Sequence, residues 1–259
     1  MAERLREHDP RRCSAVPRLR ERGWYGAATT MPTLLGRIKD WRRRRALALA
    51  GVRTEDIAGN VHLVAAGERS GTWWFDPWRL GPRAVVYSFG IGDNLAFDRA
   101  LADEYGANVH AFDPTPKSRA WLVRQPLPPR LTVHDVGIAA FDGVQRFAAP
   151  AKERDVNFAP GVGALELPVK RYATLARELG HTQVDVVKLD IEGGEYEVLP
   201  DLLAHGPRFT QLLIEFHHGE RGHTLAETLA AIELVRSHGF QLAHVSRRGL
   251  EFTFLRRRT

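Results

Sequence analysis

The segment AVVYSFGIGDNLAFD at residues 84–98 constrains the fold more than any other. An apolar strand runs into Gly90-Ile91-Gly92, a helix begins near Asp93 or Asn94, and a second apolar run, Val109-His110-Ala111-Phe112, ends in Asp113 about twenty residues later. Strand, glycine turn, helix, strand and terminal acid form the first half of a nucleotide-cofactor site. Glycines let the backbone approach the cofactor, the helix N-terminus offers free N–H groups, and the acid can accept from ribose hydroxyls.

Beyond residue 83 strands and helices alternate, as in an α/β fold with a mostly parallel sheet. Strands are predicted at 84–89, 108–112, 131–136, 184–189 and 210–216, with helices at 94–105, 116–124, 171–179, 194–204 and 224–238. The rhythm breaks at 137–170, where Phe141-Asp142-Gly143 and the alternating Leu165-Glu166-Leu167-Pro168-Val169 predict a β-hairpin excursion. The strands at 240–246 and 250–255 are joined by Arg247-Arg248-Gly249, a turn so short that the pair must be antiparallel.

A net charge of +6 invites a nucleic-acid reading until it is divided along the chain. Residues 1–60 carry 14 Lys/Arg against 7 Asp/Glu, whereas residues 61–259 carry 23 against 24, so the basic character belongs to a leader and not to the predicted domain at 61–259. No specific nucleic-acid partner is expected. Met31 is an alternative start, which would leave residues 1–30 outside the folded protein, and 33–50 fits an amphipathic helix lying against the domain through Leu34, Leu35, Ile38, Trp41, Ala46 and Leu49. The single cysteine, Cys13, excludes a disulfide framework, and the absence of a long apolar run or signal peptide predicts a cytoplasmic protein with no transmembrane segment. The Trp-rich loop 73–78 reads as a hydrophobic plug over one end of the sheet, with a substrate or cofactor lid as the alternative.

Glycine turn and acid alone do not separate a nicotinamide dehydrogenase from a methyltransferase. The dinucleotide fingerprint needs a third glycine where this chain has Leu95, which disfavours a pyrophosphate site. VDVVKLDIEGGEYEVL (184–199), VYSFGIGDNLAFD, HAFDP and QLLIEFHH (211–218) together closely resemble the FkbM family of methyltransferases and related methyltransferase-like proteins, in the right order over roughly residues 70–255. The resemblance implies a Rossmann-like, seven-stranded class I methyltransferase sheet, mostly parallel with a C-terminal antiparallel hairpin, and S-adenosyl-L-methionine as cofactor. It also implies O-methylation of a small molecule, sugar or natural product. Asn94 stands where the general G-x-G-x-G pattern has its third glycine. A noncatalytic scaffold or cofactor-binding module of the same fold, and an NAD-dependent oxidoreductase, are the alternatives.

Carried over residue by residue, Gly90 and Gly92 would form the turn beneath the methionine and ribose portions, and Ser88 and Phe89 would line its approach. Asp113 would accept from the ribose hydroxyls, and Asp135 with Val136 would sit by the adenine. An alcohol acceptor needs a general base, and the carboxyl ends of the fourth and fifth strands supply Asp190, Glu215 and His217, with Asp190 favoured and His217 suited by its ordinary pKa near neutrality. The same three residues could be imagined around a divalent cation, but no metal is predicted. Glu192 and Glu195 are read as acids favoured near the N-terminus of the helix after Gly193-Gly194.

Overall fold

The computed structural model describes residues 34–55, 57, 61–68, 71–150, 158–161 and 163–257. The expectations for residues 1–30, Cys13 and Met31 lie outside the described residues. The central sheet takes its strands from β3 (Val85–Phe89), β4 (Asn108–Phe112), β5 (Leu131–His134), β10 (Val186–Leu189), β11 (Gln211–Glu215), β12 (Phe240–Val245) and β13 (Glu251–Arg256). Their spatial order is β12-β13-β11-β10-β3-β4-β5, and β13 runs antiparallel to both of its neighbours while the remaining pairs are parallel. This is the expected seven-stranded, mostly parallel sheet closed by a C-terminal antiparallel hairpin.

Strands buried on both faces explain the near-continuous apolar runs VVYSF and VVKL. Tyr87, Phe89, Val187 and Leu189 point into one core, shared with α4 (Tyr172–Glu178), α5 (Glu195–Ala204) and α6 (Leu225–Ser237). Val86 and Val186, one residue out of phase, join the opposite core with Phe97 and Leu101 of α2 (Ala96–Asp103). Helix α6 starts at a capping box in which Thr224 and Glu227 each satisfy the other's backbone N–H.

Between β5 and α4 the predicted hairpin excursion is a four-stranded sheet, β6 (Gly137–Ile138), β7 (Gly143–Ala148), β8 (Ala159–Pro160) and β9 (Leu165–Lys170), built on an antiparallel β7–β9 pair. The Trp-rich segment forms β2 (Trp73–Phe75), paired with β1 (Val64–Ala66). Trp73 and Phe75 are buried, Asp76 and Gln211 exchange two hydrogen bonds, and the Thr253 hydroxyl donates to the Trp74 carbonyl at 2.6 Å.

Helix α1 (Leu34–Leu49) exists, but it faces the opposite way from the sequence-based expectation. Leu47 is its buried residue and Lys39 and Arg43 pair with Glu220 on the body, while Leu34, Leu35, Ile38, Trp41 and Leu49 lie exposed.

Candidate active site

Strands β4 and β10 leave β3 on opposite sides, so the crevice beyond the carboxyl end of β3 is the topological switch point at which ligands bind in open α/β sheets. A cavity of about 290 Å³ lies there. Its wall includes Gly90, Gly92, Asp113, Lys188, Asp190, Glu215 and His217.

The turn is built for close approach. Gly90 has φ +78°, and a Cβ on it would stand 1.6 Å from the carbonyl oxygen of Asp190. Only glycine satisfies both conditions. Beneath it the buried Lys188 ammonium donates to the Gly90 and Phe89 carbonyl oxygens at 2.9 and 3.3 Å and lies 5.1 Å from the Trp73 ring centroid. Burial raises the Asp98 carboxyl on α2, and the Lys188 charge and the Ser88 hydroxyl oppose that rise.

Asp113 closes the other side of the turn. One carboxylate oxygen accepts from the N–H groups of Ile91 and Gly92 at 3.0 and 2.9 Å, and the other from the Thr115 N–H and hydroxyl at 2.9 and 2.6 Å. Four bonds fill the acceptor positions of a carboxylate. Asp113 therefore holds the glycine turn in shape.

The catalytic candidates converge as expected, but with different protonation. Asp190, beyond β10, has its carboxyl raised to about 6, chiefly by burial, with Glu192 and Glu195 adding to the rise and Lys188 and His217 opposing it. Glu215 at the end of β11 is raised to about 9 by burial and by the Asp190 and Glu251 charges, although Arg248 stands 3.1 Å from it. His217 corrects the expectation of a neutral base: burial would lower it, but Glu192 at 3.4 Å and Glu195 at 3.2 Å push it up to about 11. The imidazole lies between the two glutamate side chains, a placement that favours its protonated form.

Those carboxylates divide their work. Glu195 is fully buried and accepts from the Ile191 and Gly193 N–H groups at 2.9 and 3.0 Å, which fixes the β10–α5 turn. Glu192, at φ 58°, turns toward the cavity to meet His217 and Arg221. Asp190, Glu192 and His217 each place one potential ligand atom within 4.8 Å of the others, so the same triad could hold a divalent cation once His217 lost its proton.

Three other predicted positions stand apart from this cavity. Ser88 is fully buried and does not line it, because its side chain turns into the core toward Asp98, whereas Phe89 does line it and stacks on Phe112 at 4.7 Å. Asp135 and Val136 open onto a separate cleft with Arg119 and Lys170. β5 ends at His134, after which Asp135 turns outward to pair with Arg119 at 3.1 Å, and the cavity wall resumes with Gly137 and Ile138. Sequence reasoning also passed over Phe158, Arg221 and Arg248 as lining residues. They lie in the inserted sheet and in loops, and no motif marked them.

A model of the methyltransferase FkbM domain matches residues 85–242, which contain the glycine turn, Asp113, Asp190, Glu215 and His217. The chain belongs to the FkbM methyltransferase domain family. Within this FkbM domain the match ends in β12, so α1, β2 and the Arg248 turn fall outside it. The probable methyltransferase-like protein 24 of Homo sapiens is 29% identical over 135 residues, which are 51% of this chain and 32% of the relative; that of Rattus norvegicus shows the same figures. The chain thus spans about a third of the length of the curated relatives it matches. Aeropyrum pernix fibrillarin in complex with S-adenosyl-L-methionine aligns at TM-score 0.43 and 10% identity over 79% of this chain and 84% of its own. Precorrin-6y C5,15-methyltransferase from Geobacter metallireducens aligns at TM-score 0.40 and 11% identity over 70% and 84%.

Proposed function

We propose that this FkbM domain transfers a methyl group from S-adenosyl-L-methionine to a hydroxyl group of a small molecule, sugar or natural product. The observation that carries this is the backbone contact between Gly90 and Asp190, which joins a glycine turn open to a cofactor to a carboxyl group raised to about 6 in one cavity. A methyl donor with a sulfonium centre supplies the electrophilic carbon. The chain's contribution is position and proton handling.

The donor set suits such a cofactor. Gly90 and Gly92 present bare backbone, and Phe89, Phe112 and Ile138 line the wall toward β4 and β6. On the other flank, toward β11, Asp190, Glu215 and His217 gather. Ionised Asp190 takes the acceptor hydroxyl proton on its carboxylate oxygen as the oxygen attacks. Glu215, raised to about 9, is protonated at neutral pH and donates a hydrogen bond that orients the acceptor. His217 stands between Glu192 and Glu195 and offsets the repulsion they would exert on the proton acceptor.

Transfer of a radiolabelled methyl group from S-adenosyl-L-methionine to a panel of hydroxylated acceptors tests this directly. Transfer by the wild type that drops at least about a hundredfold in Asp190→Asn is expected. Equal rates in the two proteins, or label found only on nitrogen, would contradict the hydroxyl assignment.

A further inference from the structure

We propose that the outward face of α1 docks on an anionic lipid surface. Leu34, Leu35, Ile38, Trp41 and Leu49 are 74%, 78%, 39%, 58% and 78% exposed. Four of them, at 34, 38, 41 and 49, recur at helical spacing and form one stripe along the helix. Exposed Arg37 and Arg42 border it, exposed Arg44 stands further round toward Gly249, and exposed Arg45 sits within the stripe between Trp41 and Leu49, its guanidinium 5.2 Å from the Trp41 ring centroid. Leucines and a tryptophan flanked by arginines match the interfacial layer of a bilayer, where apolar side chains enter the acyl boundary and guanidinium groups meet phosphate.

Charge selects among possible occupants. Residues 34–49 carry six Lys/Arg against one Asp, a net of +5, while residues 61–259 sum to −1. A second copy would set two such helices against each other and incur like-charge repulsion. Residues 1–30 carry seven Arg against four acids, so their charge does not complement that of the helix. Nucleic acid would satisfy the arginines but leave five apolar side chains in water. An anionic lipid surface uses both.

The opposite side of α1 is tied to the cavity rim. Lys39 lies 2.6 Å from Glu220, Arg43 pairs with the same carboxylate, and Glu220 lines the cavity. A docked α1 brings the rim at Glu220 close to the headgroup layer.

Flotation of the full chain with vesicles tests the proposal without cofactor or substrate, so its outcome is separate from that of the methyl-transfer proposal. Binding to phosphatidylcholine–phosphatidylserine vesicles, weak binding to phosphatidylcholine alone, and release by salt are expected. The double variant Ile38→Asp/Trp41→Asp and the triple variant Arg42→Ala/Arg44→Ala/Arg45→Ala should each bind at least about tenfold more weakly. Unchanged far-ultraviolet circular dichroism and melting temperature would show that both remain folded. The proposal fails if the wild type does not float with anionic vesicles, or if folded variants bind as well as it does. It fails equally if light scattering shows a dimer and flotation shows no binding, or if single-stranded RNA is bound in place of vesicles.

Discussion

The α-carbon of Gly90 faces the carbonyl oxygen of Asp190 so closely that a methyl group there would stand 1.6 Å from it. The glycine turn and the residue proposed to receive the proton are therefore built on one backbone contact between adjacent parallel strands, held from below by Lys188.

Gly90→Ala must move the end of β10 and hold a non-glycine residue at φ +78°. A loss of at least about 2 kcal/mol in stability is expected from the strained backbone and displaced carbonyl, together with loss of cofactor binding. Urea unfolding and cofactor titration of the variant check both parts.

In the proposed mechanism Asp190 sets the acid limb of the reaction. Its carboxyl is raised to about 6, so the base form accumulates as pH rises through that value and the rate follows it. A pH profile of kcat/KM should therefore rise with its midpoint near pH 6, and Asp190→Asn should flatten what activity remains.

His217→Ala leaves the buried Glu195 and Glu192 without their shared cation, and a destabilisation of about 3–5 kcal/mol is expected. The sign follows from a folded pKa above the unfolded one. Its contribution is fully present below about pH 6.5, the ordinary histidine value, and is lost as pH rises through about 11. Melting temperatures of wild type and variant should differ most at pH 6 and converge toward pH 11.

A second group of histidines works in the opposite sense. His110 stacks on His134, packs edge-on against His181, and is lowered to about 4 by burial and by the charges of its two neighbours. The Tyr87 hydroxyl is 2.7 Å from His181. A lowered folded pKa makes the unfolded chain bind more protons between about pH 4 and pH 6.5, so stability falls as pH drops through that window. His110→Phe should blunt the fall in melting temperature between pH 7 and pH 5.

The sheet was legible because its strands obey simple rules. VVYSF and VVKL are apolar on both faces, and Arg247-Arg248-Gly249 is too short to join parallel strands. Gly90, Gly92 and Asp190 were legible as strand-end residues for the same reason. The protonation of His217 was not, because it depends on Glu195 curling back from α5 and Glu192 adopting positive φ, and neither is encoded by spacing along the chain. Asp135 and Ser88 were misplaced by a rule that locates strand ends but not the direction in which side chains leave them. The orientation of α1 failed for a related reason: its contacts with the body, Leu47 in the core and two ion pairs to Glu220, are with residues distant in sequence.

Isothermal titration of S-adenosylhomocysteine into the folded full chain tests the central claim most directly. Saturable one-to-one binding is predicted, retained in Asp190→Asn and weakened at least about tenfold in Asp113→Ala, where the glycine turn loses the carboxylate that holds it. Absence of binding to the folded wild-type chain, or binding that Asp113→Ala leaves unchanged, would contradict it.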